Sequence, residues 1–155
     1  MHERNTLVRV GATLTLHGAR QIIREALDAA ANAALMPLAV AVLDTGGHLI
    51  AFERQDGASI KRFEIAHGKA LGGLGLGVGS RSLMTRAEQQ PWFVTSAGAA
   101  LGGAMVPVPG GVLVRDPLTN DIIGAVGISG DASDNDELAA VVAITAIGLV
   151  ADPGV

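Results

Sequence analysis

The sequence contains no cysteine and no tyrosine, and its aromatic residues are one Trp and three Phe. Without cysteine there is no disulfide, thiolate zinc site, iron–sulfur cluster or Cys nucleophile. So few aromatics supply little surface on which nucleic-acid bases stack. Basic residues are outnumbered too: 11 Lys and Arg stand against 15 Asp and Glu, a formal net charge of −4. Phosphate backbones are bound by clustered cations, so a nucleic-acid partner is not expected. No apolar run reaches membrane-spanning length, and MHERNTLVRVGATL at the start holds no apolar core of signal-peptide length. A cytoplasmic protein with no membrane association is expected.

What is present is an apolar chain of 155 residues, 49% hydrophobic and 17% charged, which suits a single domain over 1–155 with residues 1–13 as a short N-terminal arm. Thr15 precedes Leu16, Ala19, Ile22, Ile23, Ala26, Leu27 and Ala30. That three-and-four spacing predicts an amphipathic helix capped by Thr15, with Arg20 and Arg24 mostly on its other side. Pro37 leads into Leu38–Leu43, an unbroken apolar run that suits a strand buried on both faces. Asp44 to Gly47 is a turn, and His48 to Arg54 reads as the return strand of a hairpin.

Asp56 or Ser59 then starts a second helix whose apolar stripe is Ile60, Phe63, His67, Ala70, Leu71 and Leu74. Its end runs into GGLGLGVG, Gly72 to Gly79. A phosphate loop needs its glycines between a strand and a following helix; these follow a helix, which points instead to tight packing against a neighbouring backbone, in this chain or another subunit. Short helices follow over Ser82–Gln89 and Pro91–Leu101. Val112–Val114 and Ile122–Ile128 form a second hairpin around the turn residues Arg115–Asp121, and Gly124 and Gly127 within it mark a close approach by backbone or ligand.

The polar loop Gly130–Asn135 opens a last, nearly all-apolar helix, Glu137–Val150. A helix apolar around most of its circumference is buried around most of it. Together with the glycine-rich segment it predicts a symmetric homo-oligomer, a dimer or larger in the tetramer-to-octamer range. Two hairpins with helices on their faces make an α+β layered domain.

Three blocks carry a family resemblance: VLDTGGHLIAFERQDGA (Val42–Ala58), RFEIAHGKA (Arg62–Ala70) and VPVPGGVLVRDPLTNDIIGAVGISGDASDNDELA (Val106–Ala139). In residues and spacing the chain resembles the GlcG/HbpS-like family, which includes the C-terminal domain of PduO-type proteins. The resemblance implies a profilin-like fold, a five-stranded antiparallel sheet with helices on both faces, assembled into symmetric oligomers. Several relatives bind haem, and others are encoded in catabolic operons. It therefore implies a haem-binding or haem-sensing accessory protein. The alternative is a small-molecule enzyme of a catabolic pathway, acting on an anionic or aromatic metabolite in a cleft at a subunit junction.

His67 lies on an apolar helix stripe, either as a core histidine bonded to a carbonyl or as an axial haem ligand or general base. His17, at a helix start, is the second axial candidate. Lys69 is a snorkelling surface cation or a catalytic group holding a carboxylate or enolate oxygen. Arg54, Asp56 and Arg62 gather at the strand-to-helix junction, where Arg54 and Asp56 form a structural pair or else Arg54 joins His67 and Lys69 as a catalytic candidate while Asp56 and Arg62 bind a ligand. Pro109, Gly110 and Gly111 form a tight turn or offer N–H groups to an anionic oxygen, with Ser129 nearby on the ligand side. The acids Asp131, Asp134, Asp136 and Glu137 miss the calcium-loop spacing and read as helix-start acids, so no metal is expected. His67 and Lys69 are two residues apart and so point roughly 200° apart on an ideal helix; a ligand shared by both must lie along the helix flank or at a subunit junction.

Overall fold

The structure, a computed structural model, describes residues 12–155, so the arm up to residue 11 lies outside the described residues. The first amphipathic pattern forms α1 (Leu16–Asn32), with Ala19, Ile22, Ile23, Ala26 and Ala30 buried and the Thr15 hydroxyl accepting from the Gly18 N–H. The apolar run forms β1 (Ala39–Leu43), buried at all five positions, and β2 (Leu49–Arg54) returns beside it. Then follow α2 (Arg62–Leu76), α3 (Ser80–Gln89), α4 (Pro91–Ala100), β3 (Gly111–Arg115), β4 (Ile122–Ser129), α5 (Ser133–Ala146) and β5 (Val150–Asp152).

The strands form one antiparallel sheet in the order β2-β1-β4-β3-β5, the five strands that the resemblance implies. Alternation along the strands splits the core between two helical layers. Val40, Val42, Val112, Val114, Val126 and Ile128 face α1 and α5. Leu43, Leu113 and Ala125 face Ala70 of α2 on the other side.

The C-terminus differs from the expected helix over Glu137–Val150. α5 starts earlier, at Ser133, and ends at Ala146; Gly148, at φ +82°, then turns the chain. The free edge of β3 takes the residues that follow: Val150–Asp152 pair with Leu113–Arg115, and Arg115 Nε donates to Asp152 Oδ2 at 2.9 Å.

The strand glycines are explained by the approach of α2. Gly111 and Gly127 sit opposite each other on β3 and β4, facing that helix. A Cβ on Gly127 would overlap the Ala66 carbonyl oxygen, and one on Gly111 the Lys69 carbonyl oxygen. α2 also contributes glycines to its own packing: Gly68 lies against the Ala104 carbonyl and Gly72 against Met105. Within the chain Gly72, Gly73, Gly75 and Gly79 each meet a close neighbour, while Gly77 forms the left-handed C-cap of α2 with nothing within 4 Å of its missing Cβ.

Gly127→Ala is expected to destabilise the fold by about 3 kcal/mol, because the atom it would strike is backbone held in a helix. Gly75→Ala should stay within about 1 kcal/mol of the parent, since its neighbour is the flexible Leu101 side chain and alanine favours the helix. Urea unfolding midpoints separate the two; equal shifts would show that the close approach is not the constraint.

Candidate functional site

An open groove of about 620 Å³ runs between α1 and β2. Its walls are apolar where Leu16, Ile23 and Leu27 meet Ile50 and Ala51. Arg20 and Arg24, one helical turn apart, line the same groove with Asp28, and Glu53 lines it from the strand. At 100° per residue His17 falls between Arg24 and Asp28 around α1, on the groove-lining side of the helix. Its side chain is exposed, and no described residue hydrogen-bonds the ring. The helical pattern places Arg20 and Arg24 away from the apolar stripe; the structure makes them part of this concavity. Their spacing of four residues shows in sequence that they share one side of the helix, but not that β2 lies beside it.

His67 lies on the opposite side of the sheet. Phe52 of β2 meets Phe63 of α2 edge to face, with centroids 4.8 Å apart, and Phe63 meets the His67 ring at 5.5 Å. The His67 imidazole is half-buried and, among the described residues, hydrogen-bonded to nothing, so it is not the carbonyl-bonded core histidine that the apolar stripe also allowed. A turn earlier, Arg62 Nε donates to Ser59 Oγ at 3.1 Å and Nη1 to the buried Ser129 Oγ at 2.9 Å. Arg54 is exposed and makes no ion pair with Asp56; the two only share the rim of a shallow depression with Leu35, Pro37 and Gln55.

The Pro109-Gly110-Gly111 turn is buried, and the Gly111 N–H and the Gly110 carbonyl are engaged inside the protein. The Gly111 N–H donates to Ser80 Oγ at 2.7 Å, and the Gly110 carbonyl accepts from Ile128 N–H at 2.9 Å.

Lys69 is neither a surface cation nor beside the His67 ring. Only 2% exposed, its ammonium donates to Asp136 Oδ2 and to the Ile128 carbonyl, each at 2.9 Å. Asp136, 1% exposed, accepts from the Asp131 N–H with its other oxygen. Burial pushes the Lys69 ammonium below its ordinary value, against the charge and hydrogen bond of Asp136. Burial likewise pushes the Asp136 carboxyl up, against the charge of Lys69 and the Asp131 N–H. Asp136 was legible in sequence only as an acid in the first turn of a helix. Asp131 does act at the helix entry, accepting from the Ala132 N–H, the Asn135 amide and the Met36 N–H.

The family model described as Haem degrading protein HbpS-like matches residues 14–145. Solved structures share the fold. The crystal structure of a PduOC–haem complex is 26% identical with a TM-score of 0.78, covering 88% of this chain and 96% of that one. Protein ORFY of Klebsiella pneumoniae is 25% identical with a TM-score of 0.78, covering 93% and 96%. HbpS is 25% identical with a TM-score of 0.76, covering 96% and 99%. No curated protein matches the chain.

The buried pair has a testable energetic signature. A raised Asp136 pKa contributes stability below the unfolded value of 3.8, lost as pH rises through the folded value. A lowered Lys69 pKa contributes stability above 10.5, lost as pH falls through the folded value. Both shifts disfavour the charged forms, so the pair is held together against its desolvation cost. Asp136→Ala alone should cost about 3–5 kcal/mol by leaving the ammonium buried and unpaired. Joint Lys69→Met and Asp136→Leu replacement should recover most of that at pH 7. Chemical denaturation measures both, and a double variant as unstable as the single one would contradict this account.

Proposed function

The chain belongs to the HbpS-like family, and from that membership we propose that it is a haem-binding accessory protein whose haem lies in the groove between α1 and β2. The supporting observation is one concavity that combines apolar walls with two guanidinium groups; the exposed imidazole of His17 is not among its lining residues but stands beside it on the same helix, on the groove side by helical phase. A porphyrin presents a flat apolar body, anionic propionates and an iron that accepts imidazole. Leu16, Ile23, Ile50 and Ala51 suit the first, Arg20 and Arg24 the second, and His17 the third. Bound haem would supply ligand-binding and one-electron chemistry; the residues named here bind and orient it. The absence of Cys and Tyr leaves His and Met as the usual iron-ligating side chains.

A second placement has its own observation. The unbonded His67 ring packed beside Phe63 is an imidazole next to an aromatic shelf, on the other face of the same edge strand. Titration with haemin, followed by the Soret band, distinguishes the placements. His17→Ala is expected to abolish the sharp stoichiometric band and His67→Ala to leave it. The converse result moves the haem to the α2 face, and no band in the parent protein overturns the haem reading.

An exposed apolar surface on α5 supports the homo-oligomer expected from the sequence. Leu138 and Val142 are exposed one turn apart, and with Ala29, Ala33 and Leu35 they border a depression of about 510 Å³. We place a contact between copies there. Light scattering should give a multiple of the 15.7 kDa chain mass, falling with the double change Leu138→Arg and Val142→Glu. A parent protein with monomer mass at micromolar concentration would end this assignment.

A further inference from the structure

The α2 face of the sheet carries two arginines, Arg62 and Arg54, that make no ion pair with any described residue. Arg62 is half-buried, uses its hydrogen bonds on the hydroxyls of Ser59 and Ser129, and makes no ion pair with any described residue. The nearby Lys69 and Asp136 neutralise each other, so they leave its charge in place. Partly desolvated arginine is ordinarily matched by a carboxylate or phosphate.

The sheet register supplies a second guanidinium. Arg54 of β2 and Ser129 of β4 are both opposite Ala39 of β1, so the three share one face in a row across the sheet. Adjacent strands are about 4.8 Å apart, which sets the backbones of Arg54 and Ser129 about 10 Å apart, with only the methyl of Ala39 between. Arg54 makes no ion pair with any described residue. Two positions back on the same face, Phe52 packs on Phe63, so an aromatic wall borders the row.

We propose that Arg54 and Arg62 form a binding site for a small carboxylate with a flat apolar body, separate from the α1–β2 groove. The carboxylate bridges the two guanidiniums above Ala39, and the body lies toward Phe52 and Phe63. The proposal does not rest on haem binding, and its test can fail without touching that reading.

Benzoate is the probe, titrated calorimetrically into the full chain, with benzyl alcohol as the uncharged control. Saturable binding at one site per chain is expected for benzoate and none for the alcohol. Arg54→Gln and Arg62→Gln should each weaken it by about 10-fold or more, as expected for loss of a charge-assisted hydrogen bond, whereas Arg20→Gln in the groove should not. Arg54 is exposed, so its variant reports on binding even if loss of the Ser129 bond unfolds the Arg62 variant. No benzoate heat above that of the alcohol, or full affinity in Arg54→Gln, overturns the proposal. Loss of binding in Arg20→Gln alone would place the anion in the groove and overturn it equally.

Discussion

The ion pair between Lys69 and Asp136 ties the two helical layers together around the end of the sheet. Lys69 belongs to α2 on one face, Asp136 to the first turn of α5 on the other, and the Ile128 carbonyl lies between them at 2.9 Å from the ammonium. The crossing depends on Gly110, whose φ of +118° is unfavourable for other residues and whose missing Cβ would stand 2.9 Å from the Lys69 nitrogen. Both charges are desolvated, so the pair adds little net stability over an apolar equivalent. What it does contribute is position: α5 cannot shift along its axis, nor α2 rotate, without leaving a buried charge unmatched.

The close seating of α2 has a consequence for β2. Helix backbone rests on strand backbone at Gly111 and Gly127, in the middle of the sheet. β2, at the edge, has the larger residues Phe52 and Phe63 between strand and helix instead. None of its six residues is buried. The α1–β2 groove opens on one side of this strand and the Phe63–His67 contact lies on the other, with Phe52 bordering both. A rigid interior and a half-open edge strand therefore arise from the same distribution of glycine and aromatic side chains.

Much of this architecture is legible in the sequence because periodicity and turn chemistry report local structure directly. Thr15 and its three-and-four pattern, the Leu38–Leu43 run and both hairpins are local signals, and each appears where expected. β5 was not legible: three residues are too few to show alternation, and they become a strand only because β3 presents a free edge. Asp136 was hidden for a different reason. An acid in the first turn satisfies the helix dipole whether or not a lysine 67 positions earlier reaches it, so capping and ion pairing leave the same trace in sequence. Arg20 and Arg24 were assigned to the outer side because an amphipathic pattern sends charge to solvent; nothing local reveals that an edge strand lies beside them and turns that side into a groove wall.

The neighbouring functional types on α2 separate by helical phase. His67 and Lys69 are two residues apart and roughly 200° apart around the helix, so one ligand cannot be faced squarely by both. In the fold Lys69 turns inward to Asp136, while His67 turns outward beside Phe63 with its ring unbonded by any described residue. Of the sequence candidates in this region, Lys69, Gly110 and Gly111 are engaged within the interior, and Arg54, Arg62 and His67 remain along the flank. Ser129 belongs to both sets, buried itself but holding the guanidinium of Arg62 at 2.9 Å. Chemistry on this face is therefore confined to the strip between β2 and the outward side of α2, because the interior has already committed its polar groups to holding the layers together.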